Sequence, residues 1–188
     1  MSIRGEIKLI EVEVKVVLSE EEKQEVLKKL RETCSTEKIC EEEDVFFIST
    51  HDPSLGIDKT LKLRKSDGEA KLIFKHKRPS KELKESLEFE VRIREEDVDN
   101  LLQLLRHLGF KESLVVRKRR WSFHLGECTI NVDEVESLGS FLEIEVLASE
   151  VGMKDVLSKV LETLSALRLS GKELIRRGYA EMISCHDM

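Results

Sequence analysis

The chain has 188 residues, enough to build a domain with a full core, so a miniprotein held together by disulfide bonds is excluded. Residues counted as apolar make up 40% of the sequence, a share that argues against an intrinsically disordered chain. Charged residues make up 37%, and 38 acidic against 32 basic residues give a net charge of −6, which argues against a general nucleic-acid-binding protein.

Apolar and charged residues alternate with a period of two in a series of segments, which predicts strands with one apolar and one polar face. In chain order the predicted strands are Ile7–Val17, a weaker candidate at Phe46–Ser49, then Thr60–Lys65, Ala70–Lys77, Leu87–Arg94, Val115–Leu125, Cys128–Val132 and Phe141–Leu147. Helical spacing predicts helices over Ser19–Cys34, Glu95–Leu108 and Lys154–Leu167, and a short helix near Lys172–Ile183.

Local signals fix the ends of several of these elements. Ser19 followed by Glu22 predicts a capping box, and Gly109 is expected to end the second helix. Asp67-Gly68 and Leu125-Gly126 lie between strand patterns and predict hairpins, so most strands should be antiparallel neighbours. The simplest interpretation is an α+β fold in a single domain over residues 1–188.

The sequence has no run of 18 apolar residues and no apolar segment at its start, so we expect a cytoplasmic protein with no membrane partner. The cysteines are Cys34, Cys40, Cys128 and Cys185. They show no C-x-x-C spacing, which favours reduced thiols over a zinc site or a redox pair.

The most informative feature is the sorting of charge among the strands. Six strands each carry two charges of one sign two residues apart, so that both lie on one face: Glu11 and Glu13 (with Lys15 following), Lys62 and Arg64, Lys75 and Lys77, Glu88 and Glu90, Lys118 and Arg120, and Glu143 and Glu145. One such pair is typical of a solvated sheet face. Six pairs in one domain favour a barrel whose lumen has a basic wall and an acidic wall.

Confined charges of one sign are costly unless a partner neutralises them. Clustered carboxylates suit hard divalent cations such as Mg²⁺ or Mn²⁺, whereas lysine and arginine suit phosphate oxygens. A polyphosphate together with its metal ions would satisfy both walls, and phosphoryl transfer uses this combination.

Several segments also match a known family. Glu11–Lys15 matches the ExExK signature, and Asp133–Glu145 matches DxVxxLGxFxEIE. In the same order, Leu61–Arg64 is similar to LRLR, Glu88–Glu90 to a central ExE, and Lys118–Arg120 to KxR. The chain resembles the CYTH superfamily, which groups class IV adenylate cyclases, thiamine triphosphatases and tripolyphosphatases.

This resemblance implies an eight-stranded antiparallel β-barrel, a triphosphate tunnel flanked by helices, and often a homodimer. It also implies roles for the charged residues. The metal-binding set for Mg²⁺ or Mn²⁺ would be Glu11, Glu13, Glu88, Glu90, Asp133, Glu143 and Glu145. The phosphate-binding set would be Lys15, Lys62, Arg64, Lys75, Lys77, Lys118 and Arg120, with Lys15 and Lys77 also acting in catalysis.

Three departures from the family pattern bear on activity. Phe46 replaces a tyrosine that some triphosphatases are thought to use, which puts a tyrosine-assisted hydrolysis in doubt. Ser86 stands where many members have an arginine, and Lys62 replaces the first arginine of LRLR. The lysine keeps the charge and loses the planar guanidinium fork.

Three hypotheses remain open for the reaction. The first, which we favour, is metal-dependent hydrolysis of a triphosphate such as tripolyphosphate, ATP or thiamine triphosphate. The second is cyclisation of ATP to cyclic AMP and pyrophosphate, because the segment His51–Asp58 is similar to a loop of the class IV cyclase branch. The third is a non-catalytic nucleotide or polyphosphate binder, motivated by Phe46 and Ser86.

Overall fold

The computed structural model describes residues 10–78, 84–148 and 153–186. The strands in these ranges are β1 (Ile10–Leu18), β2 (Glu37–Ser49), β3 (Lys59–Ser66), β4 (Glu69–Lys77), β5 (Lys84–Ile93), β6 (Phe110–Leu125), β7 (Cys128–Val135) and β8 (Gly139–Ala148). The helices are α1 (Glu20–Thr33), α2 (Val98–His107), α3 (Met153–Ala166) and α4 (Tyr179–His186), with a 3-10 turn at Glu95–Asp97 before α2.

The strands close into a barrel in the order β1-β5-β4-β3-β2-β6-β7-β8, and every neighbouring pair is antiparallel. The eight-stranded antiparallel barrel expected from the sequence is thereby confirmed. Closure between β1 and β8 aligns Glu13 with Glu145 and Lys15 with Glu143, so the two carboxylate-bearing motifs at opposite ends of the sequence become neighbours.

Most of the apolar core lies outside the barrel, between the sheet and the helices, and a smaller cluster beside α4 joins Tyr179 to Val116, Val135 and Phe141 on inward strand faces. On β1, Val12, Val14 and Val16 face outward and pack with apolar residues of α1 and α3, while α2 covers β2 and β3 in the same way. Because side chains alternate along a strand, this packing turns the charged positions of the same strands into the lumen. The hydrophobic effect outside the barrel therefore fixes which residues face its centre.

The predicted local signals are present. Ser19 and Glu22 form a capping box at the start of α1. Asp67 and Gly68 have φ of 49° and 79° in the β3–β4 hairpin, the left-handed conformation that a two-residue hairpin turn requires. Gly109 has φ of 85° after α2, and a Cβ there would lie 2.7 Å from the His51 ring.

Two predicted elements differ most from the structure, and the bounds of the others shift by up to five residues, as in β6, which begins at Phe110 rather than Val115. β2 begins at Glu37, well before the predicted Phe46–Ser49, because the acidic run 41–44 hides the alternation of a strand whose inward positions are charged. The helix predicted near 172–183 begins only at Tyr179, since Ile175 forms backbone hydrogen bonds with Lys15 and extends the β1 edge. The first part of the predicted strand 7–17 lies outside the described residues. Over the described ranges, none of the helices has the length and apolar character needed to cross a membrane.

Candidate active site

A cavity of about 690 Å³ occupies the centre of the barrel and opens beside α4. We call it the central cavity. It is lined by every charged residue singled out from the sequence except Asp133: Glu11, Glu13, Lys15, Lys62, Arg64, Lys75, Lys77, Glu88, Glu90, Lys118, Arg120, Glu143 and Glu145. The volume falls within the range of small-molecule sites, roughly 300–1,000 Å³.

The basic wall is organised by Asp44, an inward-facing residue of β2. Its carboxylate accepts hydrogen bonds from Lys62 Nζ at 2.8 Å and from Arg64 Nε and Nη2 at 2.7 and 2.8 Å, and Lys118 Nζ lies at 3.5 Å. Burial would raise the pKa of Asp44, but Lys62, Lys118 and Arg64 outweigh it and hold the pKa well below its usual range. Asp44 therefore stays ionised and orients three cations drawn from two strands.

Lys62 is the unusual member of this wall. Burial, followed by repulsion from Arg64, lowers its pKa to about 7 although Asp44 acts in the opposite direction. The Nζ atom lies 5.6 Å from the centroid of the Phe46 ring, so the phenylalanine that replaces the family tyrosine forms part of its surroundings. Lys62 is thus a cation whose charge depends on pH near neutrality.

The acidic wall contains two carboxyl pairs, Glu143 with Glu145 and Glu11 with Glu88, each joined by a side-chain hydrogen bond. Burial, with the hydrogen bond and repulsion from Glu143, raises the pKa of Glu145 to about 8. Burial and the bond to Glu88 likewise raise the pKa of Glu11. In each pair, one carboxyl group therefore has a raised pKa, because a second negative charge at that place is unfavourable.

This donor set fits a divalent cation. A hard cation could relieve the repulsion within each carboxyl pair, since carboxylate oxygens are its preferred ligands. Among the described residues, no three acidic, histidine or cysteine side chains already form a metal-binding group. Lysines are instead paired with several of these carboxylates: Lys75 Nζ is 2.6 Å from Glu11 and 2.8 Å from Glu88, and Lys15 Nζ is 2.9 Å from Glu143.

Arg120 joins the two walls. Its guanidinium makes a bidentate pair with Asp133 at 2.7 and 2.6 Å and donates to Glu143 Oε1 at 3.0 Å. Asp133 is fully buried below the cavity lining, and its Oδ2 also accepts the Tyr179 hydroxyl at 2.9 Å. The structure thus gives Asp133 contacts with protein donors, unlike the carboxylates predicted beside it, which reach the cavity.

The remaining predicted residues lie nearer the openings. Lys77 pairs with Glu181 of α4, whose other oxygen accepts the Gly178 amide at 2.9 Å. Glu90 is about two-fifths exposed and pairs with Lys71 at 3.0 Å, so it lies at the rim rather than within the carboxyl pairs.

Four site residues were not assigned a role from the sequence: Glu42, Asp44, Tyr179 and Glu181. Asp44 begins the segment Asp44–Phe47, which is similar to the family motif DxYF, and Tyr179 and Glu181 lie in Gly178–Glu181, which is similar to SYxEL. These similarities are the signal that could have found the three residues. Glu42 falls in the acidic run of β2, and only the closed barrel shows that it faces inward with Asp44 while its neighbours face out.

Comparisons with known proteins agree with this architecture. A family model described as the CYTH domain matches residues 9–179. A Methanocaldococcus jannaschii protein, MJ0240, whose name assigns it provisionally to the adenylate cyclases, is 35% identical over 176 residues, or 93% of this chain and 98% of that protein.

Solved structures show the same fold. PH1819 from Pyrococcus horikoshii has a TM-score of 0.81 and 33% identity, covering 94% of this chain and 99% of that one. HpAC1 from Hippeastrum, described as a provisional adenylyl cyclase with a dominant triphosphatase activity, has a TM-score of 0.68 and 18% identity over 95% of each chain. The chain belongs to the CYTH family, whose members are triphosphatases or class IV adenylate cyclases and in general depend on a metal ion.

Proposed function

We propose that this protein is a metal-dependent triphosphatase that binds a triphosphate in the central cavity and hydrolyses it with Mg²⁺ or Mn²⁺. One observation carries the proposal: a basic wall and a carboxylate wall face each other across a single cavity. The substrate class is a small molecule with a triphosphate group, such as tripolyphosphate, ATP or thiamine triphosphate. The proposal also treats residues 1–188 as one cytoplasmic domain that forms a homodimer and has no nucleic-acid or membrane partner.

In this scheme Lys62, Arg64, Lys118 and Arg120 bind the phosphate oxygens. A guanidinium group makes directional, two-pronged contacts with phosphate oxygens. Asp44 holds the guanidinium of Arg64 in place before substrate arrives, and Asp133 does the same for Arg120. Such pre-orientation lowers the reorganisation needed when charge develops on the reacting phosphoryl group.

We assign the carboxylates Glu11, Glu13, Glu88, Glu143 and Glu145 to metal binding, with Glu90 at the rim and Asp133 acting through Arg120. When bound, a divalent cation supplies a Lewis acid that neutralises charge on phosphoryl oxygens. Phosphate binding would draw Lys15 and Lys75 away from their carboxylate partners, so that triphosphate and metal are expected to bind cooperatively.

Hydrolysis consumes one water, whose oxygen bonds to the terminal phosphorus as the bridging P–O bond breaks. Inorganic phosphate is released, the rest of the substrate leaves as its diphosphate (pyrophosphate from tripolyphosphate, ADP from ATP), and the water's proton passes to solvent. Lys15 and Lys77 would stabilise the negative charge that develops on the transferred and leaving oxygens. Lys77 must first leave Glu181, so α4 is expected to shift on substrate binding.

Cyclisation of ATP is the alternative. It is favoured by the name of MJ0240 and by a 29% identity over 84 residues to adenylate cyclase CyaB of Aeromonas hydrophila. A non-catalytic binder is the second alternative, since the same contacts would hold a triphosphate without turning it over.

A panel of tripolyphosphate, ATP and thiamine triphosphate with Mg²⁺ or Mn²⁺, reading phosphate and cyclic AMP, distinguishes the three. We expect phosphate release without cyclic AMP, and its loss in Lys118→Met. The matched control is Arg119→Met, the next residue on β6, which faces out and is half exposed. Cyclic AMP as the main product supports the cyclase, and tight binding without turnover supports the binder.

A further inference from the structure

A second cavity, of about 520 Å³, lies at the other end of the barrel, between the β3–β4 hairpin and the start of α2. We call it the hairpin cavity. Lys118 lines both cavities, Asp44 lines only the central one, and Glu42 lines only the hairpin cavity. Glu42 and Asp44 are two residues apart on the inward face of β2, so Glu42 lies at the boundary between the two spaces.

Glu42 is held firmly at this boundary. It is 9% exposed, and its Oε2 lies 2.9 Å from Lys118 Nζ and 3.3 Å from an Arg64 guanidinium nitrogen. Burial would raise its pKa, but Lys118, Arg120 and Arg64 lower it to about 2, so the carboxylate is ionised at any working pH.

Beyond Glu42 the surroundings turn acidic. The lining of the hairpin cavity contains the acidic residues Glu41, Glu43, Asp67, Glu69, Glu95 and Asp99 and the basic residues Lys65, Arg117 and Lys118, so acidic side chains outnumber basic ones. A phosphate group that passed Arg64 and Lys118 would meet the buried Glu42 carboxylate first and then the more exposed acids of the hairpin cavity. Like charges repel most strongly at the buried position, where water screens them least.

We propose that Glu42 is a specificity-determining residue that closes the hairpin end of the barrel to phosphate. A phosphate chain then enters only beside α4, and its terminal group stops at Arg64 and Lys118. This inference rests on the proposed function, because it fixes the position of the triphosphate within the same site. It also implies that a longer linear phosphate inserts only its end.

The test compares binding of tripolyphosphate and tetrapolyphosphate by calorimetry without metal. For the wild-type protein we expect affinities within about twofold of each other, since the fourth phosphate stays outside the barrel. Glu42→Gln removes the charge at nearly constant shape and should favour tetrapolyphosphate by about tenfold over tripolyphosphate. Glu43→Gln removes a neighbouring outward-facing charge at the same cavity and should keep the wild-type ratio of tetrapolyphosphate to tripolyphosphate affinity. Glu42→Asp keeps the charge and should give a ratio close to that of the wild-type protein.

A second measurement uses the wild-type protein alone, so it does not depend on a variant that folds. On adding tetrapolyphosphate, the amide NMR signals of Lys65–Glu69 in the hairpin should stay in place while that of Tyr179 moves. The role of Glu42 would be overturned if the amide signals of Lys65–Glu69 moved. It would also be overturned if Glu42→Gln kept the wild-type ratio of tetrapolyphosphate to tripolyphosphate affinity. Absence of tripolyphosphate binding to the wild-type protein would instead refute the proposed function.

Discussion

Replacing Glu145 by glutamine should stabilise the metal-free protein while removing metal-dependent activity. Glu145 shares a hydrogen bond with Glu143, and its pKa is raised from 4.5 to about 8, first by burial and then by Glu143. The neutral form is therefore the one that the folded barrel favours. Glutamine has the shape of that neutral form and can donate to Glu143 as the protonated carboxyl does.

The raised pKa of Glu145 sets how much stability the wild-type protein loses at neutral pH. A carboxyl whose pKa is higher in the folded state loses stability as pH rises from 4.5 towards 8, because only the unfolded chain releases its proton freely there. At about 1.4 kcal/mol per pKa unit, the cost at pH 7 is up to about 3 kcal/mol. The side chain is one-quarter exposed, and screening by water reduces our expectation to about 2 kcal/mol.

Urea unfolding in the presence of a chelator measures this directly. Glu145→Gln and the wild-type protein should have similar free energies of unfolding near pH 4.5, and the variant should be more stable by about 2 kcal/mol at pH 7. Glu136→Gln, the same change at an exposed position, should show no pH-dependent difference. A variant that is no more stable than wild type at pH 7, or keeps the wild-type pH slope, would refute the shared-proton argument.

Three further changes test the buried network. Lys62 has a pKa of about 7, so tripolyphosphate binding should weaken as pH rises from 6 to 8.5, and Lys62→Arg should abolish that dependence in calorimetric titrations. Asp133→Asn should lower the free energy of unfolding by about 3 kcal/mol in urea, because Arg120 loses its buried counter-charge; an unchanged midpoint would contradict this. Tyr179→Phe should cost about 1 kcal/mol through the lost hydrogen bond to Asp133, and a cost near zero would assign α4 docking to apolar contacts alone.

The strand pattern predicted the barrel because its inner and outer faces differ so strongly in charge. The alternation in β1 and β8 could be recognised from the sequence because each inward carboxylate is flanked by valine, isoleucine or leucine. β2 was mostly missed because both faces of its first half are charged, and sequence spacing alone does not separate Glu42 from Glu41 and Glu43. The pairing of β2 with β3 and β6 determines that Glu42 faces inward. β6 begins more than 60 residues after β2 ends, so local sequence does not predict this pairing.

The candidate site was predicted as a set of residue types but not as a set of contacts. Two-residue spacing was sufficient to place Lys62, Arg64 and Lys118 on inward faces. Their common partner, Asp44, lies on a third strand and could be recognised only once the barrel order was known. The engagement of Asp133 with Arg120 and Tyr179 likewise depends on packing of α4 against the barrel.

The central claim is that one cavity holds a triphosphate and its metal ions between opposite walls. The most direct measurement is calorimetric binding of tripolyphosphate with and without Mn²⁺, at fixed ionic strength. We predict that each ligand tightens the binding of the other, because phosphate releases the carboxylates from Lys15 and Lys75. Independent binding, or binding that persists in Lys118→Met at wild-type affinity, would contradict the account.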